Sequence, residues 1–348
     1  MKNILKYTLL LATIFICFSC EDEDGLREES VITLQEMHNS ELDKWIYDTF
    51  TKPYNIEVKW KWEDREMDNN FHVTPPQKEK AEAFLKALLE LWIKPYEAEA
   101  GIEFIKTYSP KLIYLVGTPQ YNADGTMTVG LAEGGRKVTV FNVNDFTLTD
   151  MDKMSKAFHT MHHEFAHILH QKVLIPTEFK ALSKGDYTGA WYNIDEVNAG
   201  AAGFITPYSM SKFEEDWVEI TATILTNVKN SNEDGPYMVP DYDENGEAKR
   251  DDDNKMIWVE EQMSQWTHKL MLIGIGAVRD SRNQIVYLQH PNANDGRNKL
   301  LSKITMVNDY YQTVWDMSLF SLQRRIELAA LKLIEENTIK EDDDEDDE

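Results

Sequence analysis

Apolar residues recur along this chain with two different periods. Ile56-Glu57-Val58-Lys59-Trp60-Lys61-Trp62 alternates apolar and polar side chains, the period of a half-buried strand. Before it, Leu42, Trp45, Ile46 and Phe50 share one face of a helix expected over about 39–50. After Pro75-Pro76, the positions Ala81, Phe84, Leu85, Leu88, Leu91 and Trp92 recur at helical spacing and predict a helix over about 78–98. Short β-rich runs follow at 112–116, 126–129 and 137–143, separated by Asn122-Ala123-Asp124-Gly125 and Gly134-Gly135 turns. From Asp150 the pattern turns helical, with helices expected at about 150–171, 212–228, 256–279 and 296–336. A small mixed sheet followed by a mainly helical second half is an α+β organisation.

The two ends read differently from this body. Lys2 and Lys6 precede an apolar stretch, Tyr7 to Phe18, too short to span a bilayer comfortably. It ends in Cys17-Phe18-Ser19-Cys20, which resembles a bacterial lipobox. Residues 1–19 are therefore expected to be a lipoprotein signal peptide, with Cys20 the lipidated residue and 20–34 an acidic tether. Glu21-Asp22-Glu23-Asp24 resembles a signal for export to the outer face of the outer membrane in some Gram-negative anaerobes. Both cysteines lie in this segment, so disulfides are not expected to stabilise the exported body. The net charge is −25, and the last eight residues are all acidic; without them it is still −17. Such a surface repels phosphates, which argues against a nucleic-acid partner. Residues 337–348 are expected to be a disordered acidic tail, leaving a domain over about 35–336. Its N-terminal α/β part should reach about 171, and its helical part should begin near 190.

The candidate chemistry lies on the helix expected after Asp150, in His163-Glu164-Phe165-Ala166-His167. Four residues apart on a helix, His163 and His167 sit about 40° apart around the axis and one turn apart along it, so both imidazoles can face one ion. Glu164 lies off to the side, where it can reach a water on that ion and act as general base. A catalytic zinc needs three protein ligands and one open position. A third His six residues on is absent, because position 173 is Val173 and position 170 is His170 rather than Gly. His170 shares the helix face but is expected to support the site or the core. The third ligand is expected on a second helix, where Glu215 and Glu219 are one turn apart in Phe213-Glu214-Glu215-Asp216-Trp217-Val218-Glu219. Glu215 is the favoured ligand, with Glu219 orienting a ligand imidazole; Glu196 is the alternative ligand.

With Gly203-Phe204-Ile205-Thr206-Pro207-Tyr208 ahead of it, this block resembles the gluzincin pattern of the anthrax lethal factor catalytic domain. That resemblance implies Tyr208, seven residues before Glu215, as a donor to the developing oxyanion. The wider chain is similar to the substrate import-associated zinc metallohydrolase lipoproteins, over roughly residues 35–330. Phe50-Thr51-Lys52-Pro53-Tyr54-Asn55-Ile56, the 78–98 helix, His163 to Gln171 and Tyr208 to Glu219 carry it. It implies association with outer-membrane import systems for nutrients and leaves the substrate open. The accompanying expectations are a zincin-like fold, one catalytic Zn²⁺, a membrane link through the lipid anchor alone, and a peptide or glycopeptide substrate. In other zincins an edge strand beside the active-site helix pairs with substrate, and 137–143 is the candidate by position.

Asp241, Asp243, Asn245, Gly246 and Asp252 match calcium-loop spacing, but position 12 is Asp and helical flanks are lacking. A solvated acidic loop is the competing reading of that segment. Two alternatives to a peptidase stay open: a non-catalytic binding lipoprotein on a metallopeptidase scaffold, and a metal-dependent hydrolase of another bond, such as a glycan-linked amide or an ester. The intact Glu164 argues against the first, since a scaffold needs ligands but no base.

Overall fold

A computed structural model describes residues 40–68, 70–122, 127–226, 237–243, 247–261, 273–279 and 285–346. The expected signal peptide, the expected tether with Cys20, and Asn245 lie outside the described residues. The chain divides into two units, Met1–Trp45 and Ile46–Glu348. Of the first unit only Ser40 and the start of helix α1 (Glu41–Ile46) are described. Ser40 and Asp43 cap that start reciprocally, each side chain accepting the other's backbone N–H.

The second unit is built around a four-stranded sheet in the order β1 (Glu57–Lys59), β2 (Leu112–Leu115), β6 (Lys137–Val140), β5 (Gly130–Glu133). The first three strands are parallel and β5 runs antiparallel to β6. Gly134 and Gly135, both at positive φ, make the tight β5–β6 turn. Lys137–Val140 is therefore an internal strand, not the edge expected from its position; β5 is the edge. A second hairpin, β3 (Gln120–Tyr121) and β4 (Met127–Thr128), stands beside it.

The helix expected at 78–98 appears as α2 (Lys78–Leu88), a wide π turn over Leu89–Ile93, and α3 (Lys94–Ala100), followed by α4 (Ile102–Tyr108). Pro95 explains the wide turn: it has no N–H to donate and its ring crowds the carbonyl four residues back. Pro53 follows a similar wide turn over Tyr47–Thr51. The central helix α5 (Met151–Lys172) starts at Asp150, whose carboxylate accepts the Lys153 N–H at 3.0 Å. Its buried face carries Phe158 and Phe165. The Phe165 ring meets those of Trp92 and Tyr96 edge-on at 5.1 and 5.0 Å. This aromatic packing fixes the rotation of α5, and so the direction in which its histidines point.

Short helices α6 (Thr177–Leu182) and α7 (Glu196–Ala201) lead to α8 (Phe213–Leu225), which packs along α5. The second half is less uniformly helical than expected. Of the helix expected over 256–279, residues 262–272 lie outside the described residues, and the described ends are strands: β8 (Trp258–Glu261) and β9 (Ile275–Arg279), paired with β7 (Tyr237–Pro240) and β10 (Ile285–Gln289). Gly274, at φ +76°, lies where a Cβ would come within 2.5 Å of Ala293 Cβ, so backbone packing there requires glycine and a turn. The helix expected over 296–336 is two, α9 (Ala293–Trp315) and α10 (Leu319–Asp346), divided by Asp316 at φ 53°. Asp tolerates this left-handed position, and Met317 N–H closes the end of α9 on the Tyr311 carbonyl. Helix α10 runs on through most of the stretch expected to be a disordered tail, because the helix of Leu319–Lys340 continues into it without a breaker.

Candidate metal centre

Helices α5 and α8 bring three ligand-competent groups together. His163 Nε2 lies 3.0 Å from Glu215 Oε2, and His167 Nε2 lies 3.2 Å from the same oxygen. The donor atoms of all three residues fall within 4.8 Å of one another. The outward nitrogen of each imidazole is held as well. His163 Nδ1 is 2.9 Å from Glu219 Oε1, and His167 Nδ1 is 2.9 Å from His170 Nε2. The expected pairing of residues one turn apart is thus seen on both helices: 163 with 167, and 215 with 219.

Glu219 is the hub of the surrounding network. Its Oε1 also meets His159 Nε2 at 3.0 Å, and its Oε2 accepts the Thr206 hydroxyl at 2.8 Å. From the sequence His159 reads as a helix-packing or surface residue, which its bond to Glu219 corrects, and Thr206 carries no signal. His159 is one turn before His163 on the same face, so the helical period that located His163 and His167 also points to it. Thr206 comes from a loop, where no period helps. His162, by contrast, turns into the core, with Nδ1 3.3 Å from the Tyr96 hydroxyl. Glu196 is exposed at the first turn of α7 and belongs to neither metal-competent group found among the described residues.

The electrostatics are those of an anionic pocket facing imidazoles. Burial opposes charge on His163, but hydrogen bonds to Glu215 and Glu219 outweigh it and raise its pKa to about 10. Burial would raise Glu215 and Glu219, yet their imidazole partners hold both well below the usual carboxylate range. Burial pushes Glu164 up, even though the Ala132 backbone N–H on edge strand β5 bonds its carboxylate. Burial and the neighbouring His167 hold His170 down to about 4, so it is neutral at neutral pH. Lys212 Nζ is 3.2 Å from the other Glu215 oxygen and balances part of its charge.

Glu164, His163 and Tyr208 line a cavity of about 430 Å³ whose far wall is Met127–Gly130. The Tyr208 ring stacks near His163 at 6.1 Å and meets Trp191 edge-on at 4.9 Å. Burial, followed by the charge and hydrogen bond of Glu215, raises the Tyr208 hydroxyl pKa, so it stays a proton donor. Gly130 is what allows β5 so close: a Cβ there would lie 2.1 Å from Thr160 Cγ2 and 3.5 Å from the Glu164 carboxylate.

Residues 35–319 match the family described as "Putative zinc-binding metallo-peptidase". The chain belongs to this family. A crystal structure of a "putative zinc-binding metallo-peptidase" from Bacteroides caccae is similar to it, with 29% identity and a TM-score of 0.61. The match covers 88% of this chain and 97% of that one. No curated protein matches.

The residues fit the zinc of the family's description. Two imidazole nitrogens and a carboxylate oxygen are a usual three-ligand set, and each imidazole has its other nitrogen anchored. Of the other acidic segment, Asp241, Asp243 and Asp252 are among the described residues. Asp241 Oδ1 is 2.9 Å from Lys249 Nζ, Asp243 caps the Glu247 N–H, and Asp252 sits in a separate turn. None of the three belongs to a metal-competent group among the described residues.

Proposed function

We propose that this family member is a zinc-dependent peptidase of gluzincin type, with His163, His167 and Glu215 as ligands. The convergence of those three groups, with Glu164 beside them, carries the reading. Zinc held there would supply Lewis acidity, lowering the pKa of a coordinated water toward about 7 and polarising a carbonyl. Glu164 takes the proton from the attacking water at its carboxylate and hands it to the leaving amine. Its burial suits that shuttle, since a raised pKa moves a carboxylate toward the operating pH. Tyr208 donates its hydroxyl proton to the oxygen on which charge develops. The outer edge of β5, beside Glu164, can add an extended substrate as a further strand. A merely ligand-binding scaffold would have no use for Glu164 at this place.

Residues 1–24 support export and lipidation at Cys20; anchoring in the outer membrane, with the acidic tether directing the protein to the cell surface, is part of the same proposal. Among the described residues, no helix is long and apolar enough to cross a membrane. Service to a nutrient-import system rests on the family resemblance of the sequence.

The test is a peptide-library digest with zinc-loaded protein. Glu164→Gln should keep its zinc and lose cleavage by at least about 100-fold, while Tyr208→Phe should lower turnover more than zinc content. Cleavage by Glu164→Gln at the wild-type rate would remove the assigned base.

A further inference from the structure

The cavity at the metal centre does not end at Thr160. Met127, Val129 and Thr160 are shared with a second cavity of about 300 Å³ that continues along the N-terminal half of α5. Its floor is apolar: Val140 and Phe141 from the end of β6, Phe146, and Ala157 on α5. Its rim is cationic. Lys153 and Lys156 stand on the same face of α5 as Ala157, Thr160 and Glu164, each within about one turn of the next. Lys153 Nζ is engaged by Asp145 at 2.8 Å. Lys156 is exposed and has no ion pair among the described residues. A third ammonium, Lys80, bonds the Phe146 carbonyl behind the floor at 2.8 Å. Asp145 is the one acid lining this cavity, in a chain whose net charge is −25. A local excess of cations over an apolar floor is therefore a feature of this place and not of the surface at large.

We propose that this second cavity is a substrate subsite for an apolar side chain with a carboxylate side chain beside it. The proposal rests on the peptidase reading above and names the substrate class of the same cleft. Ala157 and Glu164 are seven residues apart, about 10 Å along the helix. An extended peptide covers about 3.3 Å per residue, so the subsite falls about three residues from the bond at Glu164. The apolar side chain enters over Phe141 and Ala157, and the neighbouring carboxylate meets Lys156 at the rim.

The test is binding, measured apart from cleavage. The protein is the zinc-loaded full chain carrying Glu164→Gln. The probes are dansylated alanine peptides with one Phe-Glu pair, one Phe-Lys pair or one Ala-Glu pair, followed by fluorescence anisotropy. Phe-Glu should bind about fivefold tighter than Phe-Lys, the ratio expected of a single ion pair of about 1 kcal/mol at a solvated rim. Lys156→Glu should reverse that order. Because Lys153 also holds Asp145, the single Lys156 change is the primary variant, and Lys153→Glu/Lys156→Glu should deepen the reversal. Ala157→Leu, which fills the floor, should erase the preference of Phe-Glu over Ala-Glu. An order unchanged by Lys156→Glu, or no measurable binding of Phe-Glu, overturns the subsite. Charge-dependent binding together with a wild-type enzyme that cuts no peptide keeps the subsite and removes the peptidase reading. Cleavage indifferent to the Phe-Glu pair does the reverse.

Discussion

Glu219 uses two oxygens to hold three groups: His159 and His163 on one, Thr206 on the other. It lines the cavity beside Glu164 and Tyr208, and through His163 Nδ1 it fixes the ring plane and tautomer of that ligand. Glu219→Gln removes the charge and leaves the shape. We expect zinc affinity to fall about 10- to 100-fold, measured by competition with a chelator, with the fold retained by circular dichroism. Affinity within twofold of wild type would show that the hydrogen bond does not matter to the ligand. At this scale much could be read from the sequence, because a helical period converts spacing into direction. His163, His167, Glu215 and Glu219 all follow from it. Thr206 and the Ala132 N–H on Glu164 do not, because a loop and a strand edge meet the helix only through tertiary folding.

The ligand helix α8 is tied to the rest of the fold by a buried ion pair. Lys303 on α9 and Asp216 on α8 are both fully buried, with Nζ 2.7 Å from Oδ2. Lys303 also donates to the Gly203 carbonyl at 2.8 Å and lies 3.8 Å from the Phe204 ring, while Tyr187 bonds Asp216 at 3.0 Å. Removing one partner leaves the other charge without compensation. Asp216→Ala should cost about 3–5 kcal/mol in a urea melt, and Asp216→Leu/Lys303→Met should recover most of it. A loss under about 1 kcal/mol for the single variant would mean that water or another group replaces the pair. The identities of Asp216 and Lys303 gave no hint of this, since a lysine at helical spacing reads as surface. Long helices with clear periodicity, α5 and α8, were legible from the chain. The hairpins β7–β8 and β9–β10 were not, because short apolar runs such as Ile257-Trp258-Val259 fit a buried helix or a strand equally well. The edge role of β5 was hidden for another reason: strand order depends on pairing, and position along the chain does not reveal it.

For the molecule as a whole, the centre joins two helices that are 41 residues apart in sequence at their nearest ends, Lys172 and Phe213. A metal bridging them binds the folded state and not the unfolded one, so its loss should appear as lost stability as well as lost activity. The α+β class and membership of a zinc-binding metallopeptidase family were legible from the sequence because they rest on a motif, its spacing and a chain-long pattern. The extent of α10 was not, because an acidic run reads as solvated whether or not it is helical. The most direct test of the account is the zinc content of the purified chain by mass spectrometry of the dialysed protein, for wild type, His167→Ala and Glu215→Ala. We predict about one zinc per wild-type chain, much less in either variant, and a melting temperature that falls when the wild-type metal is chelated. A folded wild-type chain without zinc, or variants that hold as much as wild type, would contradict it.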